Sequence, residues 1–166
     1  MTEDTIFRIY SMSKPITGVA LMTLFDEGRF KLSDPVCRYL PEFKEQKVHT
    51  DQGNVPVDHD MTIRELMSHS GGLTYGIFGN HLADGVWVQF GPTTMKGTGF
   101  GLDFAVRTET DPAARRNAFW WSGMASTRFF VWPEADVVII SMTQRIMDSG
   151  ILTDPLTDIL VQAILP

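Results

Sequence analysis

Four apolar residues recur at helical spacing near the start of the chain: Ile16, Val19, Ala20 and Leu24. This spacing predicts a helix over residues 15–27. Pro15 fits such a helix only in its first turn, so the helix is expected to start between residues 11 and 13. Gly28 is a typical residue to end it. Residues 5–10, just before this helix, are predicted to form a short strand or an extended entry to it.

The middle of the chain is more polar and more broken. Residues 33–40 begin with a capping residue and a proline, which predicts a short helix. Residues 44–60 are polar and interrupted by a glycine and a proline, so they are predicted to be a loop. Thr62 and Glu65 form a capping-box pattern that opens another short helix. Residues 76–99 are rich in glycine and show little periodicity, which is typical of a loop with at most a brief helix.

Strand patterns dominate the last third of the chain. Three strands are predicted, at residues 101–108, 118–132 and 136–143. The last contains Val137 to Ile140, a continuous apolar and β-branched run that is typical of a central strand. Residues 133–136 are expected to turn the second strand into the third as a hairpin. An amphipathic helix is predicted over residues 154–164.

Composition narrows the class of protein. The 166 residues suit one domain, and the balance of 43% hydrophobic and 20% charged residues is that of a soluble globular chain. A net charge of -6 argues against binding to nucleic acid, and no apolar run approaches the ~18 residues of a membrane span. The single Cys37 excludes an internal disulfide and a site of several thiolates. A cytoplasmic protein is expected, unless a leader has been removed from a periplasmic or secreted precursor.

The residues with the clearest chemistry are Ser11 and Lys14. Three residues apart on a helix, they face the same way, and a serine needs a neighbouring base before it acts as a nucleophile. A desolvated lysine can be that base. By spacing alone, a capping serine beside a solvated lysine is the simpler interpretation, so the surrounding segments decide between the two.

Those segments resemble one family of hydrolases. Residues 6–17 are similar to the nucleophile segment of the serine β-lactamase-like and penicillin-binding-protein-like hydrolases, whose nucleophile motif is Ser-x-x-Lys. The subgroup that the chain resembles most is that of the class C-like carboxylesterases, also called family VIII. The other matching stretches follow in the family's order: residues 34–36, 66–76, 99–106, 121–123, 127–134 and 142–144.

The resemblance implies an α+β fold of the β-lactamase and transpeptidase type, an α/β sandwich in which helices flank an antiparallel sheet. Residues 1–166 would form a single, shortened domain. The helical subdomain would be reduced to about residues 77–98, and the two N-terminal strands that are usual in the family would be absent.

The resemblance also implies roles for particular residues. Ser11 would be the nucleophile, and Lys14 its base or electrostatic partner. Trp121-Ser122-Gly123 resembles the Trp-Gly-Gly motif that replaces Lys-Thr-Gly in the esterases, and the backbone N–H groups of Ser11 and Met124 would bind the oxyanion. Alternatively, Trp121 is only a core aromatic in a strand rich in aromatic residues. Strand alternation places Phe119 and Trp121 on one face and Trp120 on the other.

One family motif is missing. Tyr-x-Asn supplies a tyrosine that acts with the lysine in proton transfer, and none of Tyr10, Tyr39 and Tyr75 stands in such a motif. A single acid–base group contributes about 10²–10⁴-fold, so its loss should weaken acyl transfer rather than abolish it. His69 is expected to be a histidine at a helix end whose polar atoms are hydrogen-bonded, rather than a catalytic base. The polar cluster of residues 49–60 is expected to be a solvated loop rather than a cation site.

Two functions are therefore expected. The first is a Ser/Lys hydrolase that cleaves small carboxylic esters through an acyl-Ser11 intermediate, without cofactor or metal. The second is a catalytically impaired scaffold that acts as a binding or interaction domain. Sheet edges without a neighbouring strand favour pairing with another chain, so a homodimer or another partner is expected. Binding to nucleic acid or to a membrane is not expected.

Overall fold

The computed structural model of the protein describes residues 1–50, 52–73, 98–108, 115–146, 159, 160, 162 and 163. In this part of the chain, helix α1 spans Ser13–Asp26 and helix α2 spans Ile63–Met67. The strands are β1 Lys47–Thr50, β2 Gly53–Pro56, β3 Thr98–Phe100, β4 Ala105–Arg107, β5 Phe119–Ser122, β6 Arg128–Trp132 and β7 Val137–Ser141. No helix among these residues combines the length and apolar character that a membrane span requires.

Helix α1 confirms the predicted helix but not the face that it buries. A 3₁₀ turn at Tyr10–Met12 leads into it, and Gly28 follows it with a φ of +71°. The four apolar residues used to predict the helix are exposed; Ile16 and Val19, which are 62% and 55% exposed, line an open apolar groove. The helix is apolar on all sides, so spacing alone did not select a face. Its buried residues are Pro15 and Gly18.

One hydrophobic cluster joins α1 to the segment that ends in α2. Its buried members are Phe30, Val36, Ile63 and Met67, and three residues of α1 pack against them: Leu21, Met22 and Phe25. Backbone hydrogen bonds close the same region, from Val36 N to Met61 O and from Ile63 N to Asp34 O at 2.8 and 3.0 Å. The segment around Val36 and the segment around Ile63 therefore support α1 from one side.

The capping box that starts α2 is present as predicted. The Thr62 hydroxyl accepts a hydrogen bond from Glu65 N at 3.2 Å, and the Glu65 carboxylate accepts one from Thr62 N at 2.8 Å. The bond from Thr62 N, together with contacts of the carboxylate to His59 and to the Thr62 hydroxyl, both at 2.8 Å, lowers the pKa of Glu65 to about 2. Both polar groups that open the helix are thus satisfied.

Two predictions in the same region are wrong. Residues 44–60 are not a simple loop, because β1 and β2 form an antiparallel hairpin in which Thr50 opposes Gly53. Every residue of β2 is exposed, so this strand has no buried face that its sequence pattern could have revealed. The short helix predicted over residues 33–40 is a single 3₁₀ turn at Val36–Arg38, followed by another at Pro41–Phe43.

The main sheet contains five antiparallel strands in the order β3-β4-β5-β6-β7. The predicted strands 101–108 and 118–132 are each interrupted by a turn. The first prediction covers β4 and the turn that joins it to β3, and the second covers two strands separated by residues 123–127. Asp103 and Ser126 adopt positive φ values of 64° and 60°, which end the extended backbone at both turns.

The strand predicted at residues 136–143 is confirmed as β7, but it is not central. In the described part of the chain it pairs on one side only, with β6. Val138 and Ile140 are 63% and 61% exposed. The predicted hairpin before it is present, with a 3₁₀ turn at Pro133–Ala135 and Asp136 at a φ of 53°. Of the helix predicted at residues 154–164, only four residues are described, and all four are helical.

The two faces of the sheet follow the predicted alternation. Trp120 aligns with Ala105 and Phe130 in the register, and these three residues are buried in one hydrophobic cluster. On the opposite face, the Phe104 ring packs against Phe119 and Phe129 at 5.3 and 6.0 Å. This second face, which includes Trp121, is the one that borders α1, because Phe104 and Phe129 also line an apolar groove beside α1.

Replacing Thr62 by alanine tests the cap of α2. Thr62→Ala removes the hydroxyl that satisfies Glu65 N, so the free energy of unfolding should fall by about 1 kcal/mol. Urea unfolding measures it. Thr23→Ala is the matched control, because Thr23 is exposed inside α1 and alanine favours a helix interior. Equal losses in both variants would contradict a specific role for the cap.

Candidate active site

Ser11 and Lys14 are brought together as the sequence predicts. Ser11 lies in the 3₁₀ turn and Lys14 in the first turn of α1. Lys14 Nζ donates a hydrogen bond to Ser11 Oγ at 3.1 Å. Both residues are half-buried, so the pair is partly shielded from water while remaining accessible. A nucleophile and a proton carrier in hydrogen-bond contact is the arrangement that covalent acyl transfer requires.

The backbone that leads into Ser11 is held in place by hydrogen bonds to a residue far away in the chain, Gln144. Tyr10 adopts a φ of +48°, which turns the irregular entry into the 3₁₀ helix. Arg8 N donates to Gln144 Oε1 at 3.2 Å, and Gln144 Nε2 donates back to Arg8 O at 3.0 Å. Residues 5–9 form no strand, so of the two conformations expected here only the non-strand entry remains. Its position depends on these contacts rather than on a sheet.

The turn between β5 and β6 packs directly against this entry. Thr127 Oγ1 donates to Ile9 O at 3.1 Å, and Gly123 N donates to Thr127 O at 2.8 Å. A Cβ added at Gly123 would overlap both Ile9 O and Thr127 Oγ1. Only glycine therefore allows the two segments to approach this closely. Met124, which follows Gly123, and Ser11 thus belong to two segments in direct contact.

The predicted residues of the β5 motif point in different directions. Trp121 is half-buried and packs edge-on against His69 and Phe100, with ring centroids 5.6 and 5.1 Å away. Ser122 is exposed and pairs with Arg128, on the face of the sheet opposite Trp121. Trp121 therefore lies on the face that borders α1. Its contacts fit an aromatic core as well as a wall of the site.

One polar residue near Lys14, Asp103, was missed by the sequence interpretation, which placed it within a strand. Asp103 instead adopts a positive φ of 64° in the turn between β3 and β4. His69 follows the end of α2, where the sequence placed it, at a φ of 57°, and its Nε2 lies 3.7 Å from Asp103 Oδ1. The available signal was an acidic residue inside an otherwise apolar stretch, Gly101 to Val106. A charged residue at such a position has to lie against a polar partner.

Burial shifts the pKa values of His69 and Asp103. Desolvation raises the pKa of Asp103 to about 6, although the positive charge of Lys14 acts in the opposite direction. Desolvation also lowers the pKa of His69, and the charge of Lys14 adds to that effect. The His69 residue is exposed through its backbone, whereas its side chain is only 26% exposed. Near neutral pH the pair therefore consists of a carboxylate and an uncharged imidazole.

Candidate metal ligands are sparse in the described part of the chain. No group of three His, Cys, Asp or Glu side chains there is arranged to hold a metal ion. The side chain of His49 and all of Asp51, which belong to the polar cluster of residues 49–60, lie outside the described residues. So does Tyr75, one of the tyrosines considered for proton transfer.

Comparison with known proteins gives the family of the chain. The family model named Beta-lactamase matches residues 1–90, more than half of the 166 residues. The chain belongs to the Beta-lactamase family. The match includes the Ser11/Lys14 pair and the whole of α1 and α2, and the antiparallel sheet with its helices agrees with the α+β fold expected of β-lactamase-like hydrolases.

Individual relatives match a limited segment of the chain. Protein Rv1367c of Mycobacterium tuberculosis is 41% identical over 81 residues, 46% of this chain and 20% of that protein. Esterase EstB of Burkholderia gladioli is 40% identical over 75 residues, 45% of this chain and 18% of the esterase. Acyltransferase calJ of Penicillium decumbens is 34% identical over 80 residues, covering 45% and 19%. The matched segment thus spans about a fifth of each relative.

Replacing Gly123 by alanine tests the contact between the β5–β6 turn and the segment that leads into Ser11. The added Cβ would push the turn away from Ile9 O, so the free energy of unfolding should fall by about 1–3 kcal/mol. Urea unfolding measures the loss. Ser122→Ala is the control, because Ser122 is exposed on the other face of β5 and should change stability by less than about 0.5 kcal/mol. Normal stability of Gly123→Ala would show that the two segments need not touch.

Proposed function

We propose that the protein is a serine hydrolase that cleaves small carboxylic esters through an acyl-Ser11 intermediate, with Lys14 as the base. The observation that carries this proposal is the 3.1 Å hydrogen bond between Lys14 Nζ and Ser11 Oγ. Membership of the Beta-lactamase family supports it. So does the relative named as an esterase, which is 40% identical to this chain over 75 residues.

The reaction follows from the positions of the two side chains. Ser11 Oγ attacks the carbonyl carbon of the ester while its proton passes to neutral Lys14 Nζ. The tetrahedral intermediate collapses by breaking the bond to the alkoxy group, which takes the proton from Lys14 and leaves as an alcohol. Water then attacks the acyl-Ser11 carbonyl, again with Lys14 as the proton acceptor. The carboxylic acid departs, and the proton returns to Ser11 Oγ.

The oxyanion of each intermediate needs fixed donors. We assign this role to the backbone N–H groups of Ser11 and Met124, because the segments that carry them meet at Gly123 and Ile9 O. Two such donors contribute several kcal/mol to the stability of the transition state. In this proposal Trp121-Ser122-Gly123 forms the adjoining substrate edge, with Trp121 presented on the face that borders α1.

The absent Tyr-x-Asn motif limits the expected rate. The loss of one acid–base group costs about 10²–10⁴-fold, which leaves a slow but measurable enzyme. The short glycine-rich stretch at residues 76–99 favours esters with short, unhindered acyl chains. Because Trp121-Ser122-Gly123 stands in place of Lys-Thr-Gly, turnover of β-lactams should be slower than turnover of simple esters. The relative named as an acyltransferase suggests a second acceptor besides water.

Hydrolysis of p-nitrophenyl butyrate by the purified chain tests this function. Ser11→Ala and Lys14→Met should each reduce the rate to the uncatalysed background, because each removes one partner of the reacting pair. Ser13→Ala is the matched control, since Ser13 is exposed at the start of α1 and should leave the rate unchanged. Labelling by a fluorophosphonate, located by mass spectrometry, should modify Ser11. Equal hydrolysis by wild type and Ser11→Ala would refute the proposal.

A second candidate is an interaction scaffold that works as a homodimer. It is favoured by the exposed apolar side chains of β7: Val138 and Ile140 lie on the same face of the strand and are 63% and 61% exposed. Among the described strands, β7 has β6 as its one neighbour, and in this proposal its other edge pairs with a second copy.

Sedimentation velocity over a range of concentrations tests this association. Wild type should sediment as a dimer and Ile140→Lys as a monomer, because a charge would have to be buried in the contact. Val55→Lys changes an exposed apolar residue of the separate β1–β2 hairpin and should remain dimeric. A wild-type monomer at every concentration would exclude the homodimer.

A further inference from the structure

Gly18 is an unfavourable residue for the interior of α1. Helix interiors disfavour glycine relative to alanine, because glycine loses more backbone freedom when the chain folds. Gly18 is nevertheless one of the buried residues of this helix. A Cβ at this position would overlap Oδ2 of Asp103. The missing side chain therefore leaves a notch in the surface of α1, and the Asp103 carboxylate occupies that notch.

The notch at Gly18 lies on the helix face that carries the reacting pair. Residues 11, 14 and 18 follow one another at intervals of three and four, so they lie on the same side of the helix. At about 1.5 Å per residue, the notch is one turn beyond Lys14 and about two turns beyond Ser11. A contact that fixes Gly18 therefore also fixes the direction in which α1 presents both side chains.

Asp103 is held in place by the backbone on both sides of it. Its N donates a hydrogen bond to Met67 O at 2.8 Å, which ties the β3–β4 turn to the end of α2. The turn is closed by a hydrogen bond from Gly101 N to Phe104 O, also at 2.8 Å. Asp103 is 9% exposed, so its carboxylate is packed against the protein rather than free in water. The group that enters the notch thus has a defined position.

Aromatic contacts connect the same carboxylate to β5. His69 Nε2 lies 3.7 Å from Asp103 Oδ1, the carboxylate oxygen that does not face Gly18. The His69 ring packs against Phe100 and Trp121, with centroids 4.8 and 5.6 Å away. A continuous series of contacts therefore runs from Trp121 through His69 and Asp103 to Gly18. This series joins β5 to α1.

We propose that the Gly18 notch and the Asp103 carboxylate form a steric seat that positions α1, so that Asp103 is a positioning residue for Ser11 and Lys14. This inference rests on the proposed function, because the position of α1 matters through the acylation of Ser11. Asp103 need not touch the substrate. Its role depends on the size and place of its side chain and not on its charge, so an asparagine would fulfil the same role.

NMR spectroscopy tests the seat without reference to activity. A nuclear Overhauser cross-peak should join the Hα protons of Gly18 to the Hβ protons of Asp103, because the two residues are in direct contact. Gly18→Ala should move the amide signals of Ser11 and Gly123, which lie where α1 and its entry meet the β5–β6 turn. The same substitution made in Asp103→Ala should leave both signals in place. A missing cross-peak, or equal movement in both backgrounds, would overturn the inference.

The rate of fluorophosphonate labelling of Ser11 tests the consequence. A misplacement of about 1 Å can cost about 10²-fold in rate, so Gly18→Ala should slow labelling at least about tenfold. In the Asp103→Ala background, which has room for the added methyl group, the same substitution should slow it less than about twofold. Asp103→Asn should label at the wild-type rate, since asparagine has a similar size and accepts the left-handed backbone of residue 103.

Each rate is measured under conditions in which urea unfolding shows the variant to be folded. A merely structural role would then leave the labelling rate of Gly18→Ala at the wild-type value, and that result would refute the inference. So would an equal loss of rate in the two backgrounds, because the effect would not pass through Asp103.

Gly101→Ala is the matched control, because it adds the same methyl group to the β3–β4 turn itself. A Cβ at Gly101 would lie 3.6 Å from Val106 Cγ2 and 3.9 Å from Phe104 O, which are ordinary contacts. Labelling and the two amide signals should stay as in wild type. A loss as large as that of Gly18→Ala would contradict the seat. If the NMR results are as expected but wild type is not labelled at Ser11, the proposed function alone is refuted.

Discussion

The site depends on the contact between the carbonyl of Ile9 and the turn that contains Gly123 and Thr127. Residues 5–9 have no regular secondary structure of their own, so nothing within the first ten residues fixes where Ser11 lies. The hydrogen bond from Thr127 Oγ1 and the absent side chain at Gly123 fix it against the sheet. Helix α1 then carries Lys14 and Gly18 into place, because both follow from Ser11 by helical geometry.

Local features were predictable from the sequence because each depends on a few neighbouring residues. The capping box of Thr62 and Glu65, the course of α1 and the meeting of Ser11 with Lys14 all follow from spacings of three or four residues. The face that α1 buries was not predictable, since the helix is apolar on all sides and the neighbours that select a face are distant in sequence. The roles assigned to Trp121 and Met124 remain predictions.

Other features depend on backbone conformations that leave a weak mark in the sequence. The turns that divide the predicted strands use Asp103 and Ser126 at positive φ, where glycine or asparagine is the more usual signal. The hairpin of β1 and β2 has an exposed second strand, so no alternation of polar and apolar residues revealed it. Asp103 was missed for a related reason: its partners lie on α1 and after α2, far away in the chain.

The two hydrogen bonds between Arg8 and Gln144 join residues 136 positions apart, and the one from Thr127 to Ile9 joins residues 118 positions apart. Contacts of such long range can form only at the cost of closing a long loop, which slows folding. During synthesis Ser11 and Lys14 leave the ribosome before Thr127 and Gln144, so the contacts that hold the backbone before Ser11 are complete only after residue 144 has emerged. Residues 1–90, which the family model matches, therefore include Ser11 and Lys14 but not these two partners.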